Sequence, residues 1–484
     1  MYYEHTVFME PSSLQIVSAN SDCTITVDEE ALRCILTKNE IKDRYLSIIS
    51  IAGVFRQGKS FLLNFLLRYL RIKYREMRDV TDWLKAEDGP LKGFSWSSGS
   101  KRHTTGIHMW SEVFLTEKPT GERVAILLID TQGGFDHQTT FEDCARIFAF
   151  STLISSVQIF NVMRSIKQYD LTHLQCFGGY GSLMTNCMSV PFQNLCFLVR
   201  DWACPYEKPY GAEGGSAYLQ EVFNSPQKEV KDQIENLKGL FNELSCFLLP
   251  YPGRIVDASD SFDGNLDDID EIFKIQVAQF VTNLLSPENV VLKTISGHRV
   301  KAEDLLCYVH EYSNVLKGDS LPKIDTIFKA TVEAQHKSAS SQAFKLYKRN
   351  MDVECRRSPR GWTMEELYKR HTTNKKRAVD LYKQVKKFDD AVVFDKYLVE
   401  LKESMDVEFQ HYRQINEEKV REFEENRRRL EERINLTKEM SSGSGGLSTL
   451  GTGEKIGVAA GVIGAGLAFA FGASKLFGQK GSND

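Results

Sequence analysis

Gly53-Val54-Phe55-Arg56-Gln57-Gly58-Lys59-Ser60 is the stretch that decides how this chain folds. It matches G-x-x-x-x-G-K-[ST], with an apolar run at 46–52 before it and an amphipathic run at 61–71 after it. Strand, glycine loop and helix in that order make a phosphate cradle. Glycines at 53 and 58 let backbone N–H groups turn toward an anion without steric conflict, and the helix N-terminus adds a favourable dipole. Lys59 is placed to reach β- and γ-phosphates, and the Ser60 hydroxyl to hold Mg²⁺.

Outward from the loop, apolar runs at 45–54, 123–130, 194–201 and 246–250 predict strands buried on both faces. Helices are expected from residue 60, from residue 141 and over 266–285, the last stopping before Pro287. The alternation predicts an α/β domain over 1–315 with a mostly parallel sheet.

Asp130-Thr131-Gln132-Gly133 ends the run at 124–129, where D-x-x-G belongs in a nucleotide-binding sheet. Asp130 is expected to bind Mg²⁺ through water and the Gly133 N–H to meet the γ-phosphate. Between loop and aspartate lies a Gly/Ser-rich segment, 93–106, with Thr104 and Thr105. It suits a switch whose hydroxyl completes the Mg²⁺ shell when the γ-phosphate is present. His103 reads as a solvent-facing loop residue. Ras-type GTPases place a glutamine directly after D-x-x-G, but this chain has Gly134. Arg56, inside the phosphate loop, is the residue available to stabilise charge on the transferring phosphoryl group, a role worth ~10³–10⁵ in rate.

No N-K-x-D guanine motif is present, because Asn374-Lys375-Lys376-Arg377 lacks the aspartate and falls in a helical region. Leu198-Val199-Arg200-Asp201-Trp202 is the substitute. A carboxylate at Asp201 accepts both the ring N–H and the exocyclic amine of guanine, a donor pair adenine does not present.

With 61 Lys+Arg against 65 Asp+Glu among 484 residues the net charge is −4, so the basic footprint of a nucleic-acid binder is missing. The 10 cysteines show no C-x-x-C pairs, which argues against both a disulfide framework and a zinc site and for reduced thiols. The first eleven residues carry no basic stretch before an apolar run, so no signal peptide is expected. Turn residues at 316–323 read as a linker, and 324–440 as a small helical bundle, polar with apolar positions at helical spacing. The charge-dense run 417–432 reads as a solvated helix face. Residues 441–455 have the composition of a tether, and 456–477 form a candidate membrane segment followed by a tail at 478–484. Within it, 456–473 is free of charge and spans ~27 Å as a helix, against a hydrocarbon core of ~30 Å.

The R-x-G-K-S loop, the G-F-S-W…T-T-G-I segment, D-T-Q-G and V-R-D-W together resemble the atlastin family. These are dynamin-superfamily GTPases, relatives of the guanylate-binding proteins, that tether and fuse endoplasmic-reticulum membranes. The likeness runs from about residue 20 to 435 and implies an α/β P-loop GTPase domain, a three-helix bundle and a C-terminal membrane segment. It implies nucleotide contacts at Arg56, Gln57, Gly58, Lys59, Ser60 and Phe61, with Mg²⁺ held by Ser60, Thr104 and Asp130. Arg56 becomes an intramolecular arginine finger, Gln132 and Gly133 face the nucleotide, and Arg200 and Asp201 read guanine. Val256 and Ser259 occupy the positions that cap the base, Ser259 where an asparagine is usual. The resemblance further implies GTP-driven homodimerisation across two membranes and a GTPase domain facing the cytosol. One feature departs from it. Atlastins carry two adjacent membrane segments and an amphipathic helix, whereas 456–477 is a single short segment. A tether without fusion activity and a guanylate-binding-like defence GTPase are the competing expectations.

Overall fold

The computed structural model describes residues 10–19, 25–54, 57–96, 104–133, 141–174, 192–259, 262–295, 297–316, 324–385 and 390–442. Arg56, His103, Gly134, most of the linker, most of the tether, and the membrane segment and tail lie outside the described residues, while Ser441 and Ser442, expected in the tether, end the last helix. Among the described residues no helix is long and apolar enough to cross a membrane.

Among the described residues nine strands form one sheet. They are β1 (Ser13–Ala19), β2 (Ile25–Val27), β3 (Tyr45–Gly53), β4 (Ile107–Trp110), β5 (Phe114–Glu117), β6 (Arg123–Thr131), β7 (Val157–Met163), β8 (Phe192–Arg200) and β9 (Phe241–Leu248). The order is β2-β1-β4-β6-β3-β7-β8-β9, with β5 also paired to β6. The neighbours from β6 through β9 run parallel, while β1, β2, β4 and β5 pair antiparallel. The sheet is therefore mixed, which corrects the expectation of a mostly parallel one. The physical reason is local: β2, β4 and β5 are only 3, 4 and 4 residues long and are partly solvated, so they lack the continuous apolar run of a doubly buried strand.

The central strands behave as their composition demands. In β6 every residue after Arg123 is buried. Val124, Ile126 and Leu128 pack on one side of the sheet with the helix Lys59–Tyr74, while Ala125, Leu127 and Ile129 pack on the other with the helix Phe141–Ile154. Helix Glu271–Leu285 follows a 3-10 turn at Leu266–Asp268 and ends before Pro287. The apolar-run criterion passes over β7, because Gln158 and Asn161 interrupt it although each is only 1% exposed. Among the described cysteines, Cys144, Cys196, Cys246 and Cys355 are buried and none of them forms a disulfide.

Lys293 is a buried cation at the opposite end of the sheet from the phosphate loop. It is 1% exposed and donates to the Ser155 carbonyl at 2.7 Å. Burial pulls its pKa down to about 7. An unfolded lysine titrates near ~10.4, so above pH 7 the unfolded chain holds a proton that the folded one has released. Stability contributed here rises with pH through that window. From pH 6.5 to 8.5 the gain is about 1–2 kcal/mol. Lys293→Met is expected to remove that slope, and urea midpoints of both proteins at the two pH values check it.

Beyond the α/β region three helices follow, Ile324–Arg357, Met364–Gln384 and Ala391–Ser442. The chain divides into two compact units, Met1–Arg349 with Thr373–Val407, and Asn350–Thr372 with Glu408–Asp484. Within the first, Ser338 and Gln342 donate to Asp304 at 2.9 and 3.0 Å, and Tyr312 bonds Thr331 at 3.1 Å. His336 is fully buried there, bonded to the Tyr382 hydroxyl at 2.7 Å and stacked on Tyr397. In the second unit the Arg370 guanidinium lies 3.5 Å from the Trp362 ring centre, and Asn416 bonds both the N–H and the carbonyl of Trp362.

Candidate functional site

The phosphate loop joins β3 to the helix Lys59–Tyr74. Gly58 caps that helix in a left-handed conformation, φ 68°, which a side chain would strain. Lys59 is buried and its ammonium donates to the Val54 carbonyl at 3.1 Å, folding back over the loop. Asn161 on β7 reaches across and donates to the Gln57 carbonyl at 2.6 Å.

Three oxygens from three elements meet beside the loop. The Ser60 hydroxyl donates to Asp130 Oδ2 at 2.5 Å, and the Thr104 hydroxyl donates to the same oxygen at 3.1 Å. Asp130 is 1% exposed, and its Oδ1 is buried with no hydrogen-bond partner among the described residues. Burial pushes the carboxyl pKa up, opposed by Ser60, then Lys59 and Thr104. A buried carboxylate with one orphaned oxygen and two hydroxyls alongside is an all-oxygen donor set, the kind hard divalent cations take. Among the described residues no group of three His, Cys, Asp or Glu could hold a metal. A cation here would accordingly be shared with a ligand that brings oxygens of its own.

The switch segment is pinned to the loop helix. The Asn64 carboxamide donates to the Phe94 carbonyl at 3.1 Å and accepts from its N–H at 2.8 Å. Phe61, Trp96 and Phe262 form a ring cluster with centroids 5.1 to 5.9 Å apart. Gly106 packs so closely on Val17 that a Cβ would sit 1.9 Å from its carbonyl oxygen, so no other residue fits. Thr104 is thereby aimed at Asp130.

A pocket lined by Gly58, Phe61, Arg200, Asp201 and Pro252 extends from the loop to the end of β8. The Arg200 and Asp201 side chains approach at 3.4 Å, and Arg200 Nε and Asp201 Oδ1 are both buried without a hydrogen-bond partner among the described residues. Burial lowers the Arg200 pKa and raises that of Asp201, each opposed by the other's charge. Asp201 holds φ 55°, a left-handed conformation uncommon outside glycine. Backbone of this kind, set in a pocket beside buried polar atoms, is the arrangement in which functional sites are often found.

Comparison with known proteins agrees with this geometry. The model of the guanylate-binding protein N-terminal domain matches residues 22–294, and that of the guanylate-binding protein C-terminal domain matches 296–444. Atlastin of Drosophila melanogaster is 42% identical over 415 residues, covering 85% of this chain and 76% of the relative. Human atlastin-2 is 42% identical over 386 residues, 79% of this chain and 65% of its own. Bovine atlastin-1 is 38% identical over 410 residues, 84% and 73% respectively. The chain belongs to the atlastin and guanylate-binding-protein family of dynamin-superfamily GTPases.

As a GTPase of this family it converts GTP to GDP and phosphate. The structure brings Ser60 and Thr104 onto Asp130 beside the loop residues Gln57, Gly58 and Lys59, and the Arg200 guanidinium lies against Gly58, with Arg200 and Asp201 lining the same pocket as Gly58. Phe61 lines the pocket from within the aromatic cluster. Gln132, anticipated as nucleotide-facing, turns its side-chain oxygen onto the Gly106 N–H at 2.8 Å, while its own N–H donates to the Gly106 carbonyl at 2.7 Å. Gly133 follows it, buried. Val256 is half-buried on the short helix Arg254–Ala258, and Ser259 closes that helix with its N–H on the Ile255 carbonyl at 3.1 Å. Sequence reasoning passes over Asn64, Asn161 and Asp257. Asp257 accepts from the Tyr251 hydroxyl at 3.2 Å and acts electrostatically on both Arg200 and Asp201. The available signal for the two asparagines was a polar residue inside an otherwise apolar element.

Proposed function

We propose that this GTPase is magnesium-dependent, sits in the endoplasmic-reticulum membrane with its GTPase domain in the cytosol, and uses hydrolysis to drive homodimerisation, tethering and fusion of membranes. The observation that carries the nucleotide half is the convergence of Ser60 and Thr104 on one oxygen of buried Asp130 while the other oxygen has no partner. Mg²⁺, held by Ser60, Thr104 and Asp130, would supply charge neutralisation at the phosphates. Lys59 balances the β- and γ-phosphates, and the amides of Gln57 through Phe61 cradle them. The Gly133 N–H meets the γ-phosphate. Asp201 accepts the two guanine donors while Arg200 holds its carboxylate in place, and Val256 and Ser259 lie over the base. With Gly134 unable to orient the attacking water, Arg56 compensates charge in cis.

The membrane half is supported by the uncharged run at 456–473 after the 441–455 tether, together with likeness to proteins named atlastin. The test reconstitutes the intact chain, a chain truncated at Ser444 and an Arg56→Ala variant with vesicles and GTP. The intact chain should cluster vesicles and mix their lipids; the truncated chain should do neither. Arg56→Ala should bind GTP normally with kcat lowered ~10³-fold or more. Clustering without lipid mixing favours a tether, a reading motivated by the single short membrane segment. Release of the intact chain from membranes by alkaline carbonate would leave a defence-type soluble GTPase.

A further inference from the structure

We propose that Asn161, at the carboxyl end of β7, is a positioning residue for the nucleotide, aiming the Gly58 amide at the phosphates by holding the Gln57 carbonyl. The inference rests on the GTP reading above and concerns a residue whose side chain belongs to neither the loop nor the switch segment.

The geometry is specific. Asn161 is 1% exposed, and its Nδ2 donates to the Gln57 carbonyl at 2.6 Å across 104 residues of sequence. A trans peptide is planar and its C=O and N–H point in opposite directions. Holding the Gln57 carbonyl on the Asn161 amide therefore fixes the Gly58 N–H in the opposite direction, away from Asn161. Loop glycines make that peptide easy to rotate, and without a tether it would sample orientations that bury the donor. Asn161 supplies the tether from a rigid strand.

Strand packing supports the arrangement. Gly53 pairs with Asn161 in the β3–β7 register, and a Cβ on Gly53 would lie 2.4 Å from the Asn161 carbonyl oxygen. The first glycine of the phosphate motif thus admits β7 at the close distance from which Asn161 reaches the loop. An apolar residue would satisfy the packing alone, yet the position holds a buried amide whose Oδ1 has no partner among the described residues. A buried amide oxygen left without a partner calls for an explanation beyond packing. Aspartate is excluded on charge, since a carboxylate would face the Gln57 carbonyl and repel bound phosphates.

The test measures equilibrium binding of fluorescent GDP with Mg²⁺ to the intact chain, to Asn161→Ala and to Asn161→Asp, at pH 8 and pH 5.5. Each affinity is taken relative to the unsubstituted protein at the same pH. Asn161→Ala should bind about 10-fold more weakly at both pH values, as expected for a lost buried hydrogen bond. Asn161→Asp keeps the volume and should be weaker still at pH 8, by about 30-fold or more. Its protonated carboxyl can donate to the Gln57 carbonyl, so most of that deficit should be recovered at pH 5.5. A packing role predicts no such recovery. Binding within twofold of the unsubstituted chain in both variants, or an Asn161→Asp deficit equal at both pH values, would overturn the proposal. Should Asn161→Ala fail to fold, the isosteric Asn161→Asp pair of measurements still decides it. If the unsubstituted chain shows no magnesium-dependent GDP binding, the GTP reading itself fails, which is a different result.

Discussion

Lys59→Ala is expected to lose GTP hydrolysis almost completely, by ~10³-fold or more in kcat/KM, together with most nucleotide affinity. The ammonium is buried, bonded to the Val54 carbonyl and close enough to Asp130 to lower that carboxyl's pKa. It is the positive charge that the described part of the site offers to the phosphates at the loop, in surroundings where water screens little. Alanine would leave the helix intact, since it is the strongest helix former, and so isolate the charge. Substitution would also strip Asp130 of a stabilising cation, weakening whatever ion the carboxylate shares with the phosphates. Phosphate-release kinetics alongside nucleotide titration read both effects. A variant that turns over GTP at the normal rate would show that the chemistry happens elsewhere.

Asp201→Asn is expected to cost ~10²–10³-fold in GTP affinity and to shift preference toward xanthosine nucleotides. Guanine presents two donors, its ring N–H and exocyclic amine, and the Asp201 carboxylate has two acceptor oxygens, one of them buried with no partner among the described residues. An asparagine offers one acceptor and one donor. Its donor would clash with the guanine amine but match the oxygen that xanthine carries at the same place. Asparagine tolerates the left-handed backbone of position 201 better than most residues, so the fold should survive and the change should be confined to recognition. Competition binding of GTP, ATP and XTP measures the outcome, and an unchanged GTP-to-XTP ratio would remove Asp201 from base reading.

The contrast between Lys59 and Asn161 explains how far the chain was legible. Lys59 belongs to a contiguous strand, glycine loop and helix whose function resides in local backbone geometry, so eight residues of text carried it. Strands β3, β6 and β8 were legible for the same reason, since a strand buried on both faces writes itself as an unbroken apolar run. Strands β4 and β5 were not, because antiparallel segments of four residues leave too little pattern. Strand β7 hid behind two buried polar residues: Gln158 and Asn161 break the apolar run that would have announced it.

The site divides along the same line. Sequence alone determined that a phosphate loop, a D-x-x-G turn and an Arg-Asp pair exist, because each is a short motif set at the end of a strand, and likeness to known GTPases assigned their partners. Tertiary structure decided which groups touch. Ser60 and Asp130 are 70 residues apart, Thr104 and Asp130 are 26, and Asn161 and Gln57 are 104. Their meeting depends on β6 and β7 flanking β3 in parallel, with Gly106 and Gly53 permitting close approach. Side-chain convergence at that separation is set by strand order and packing distance, and those arise only when the whole sheet has closed around its two faces.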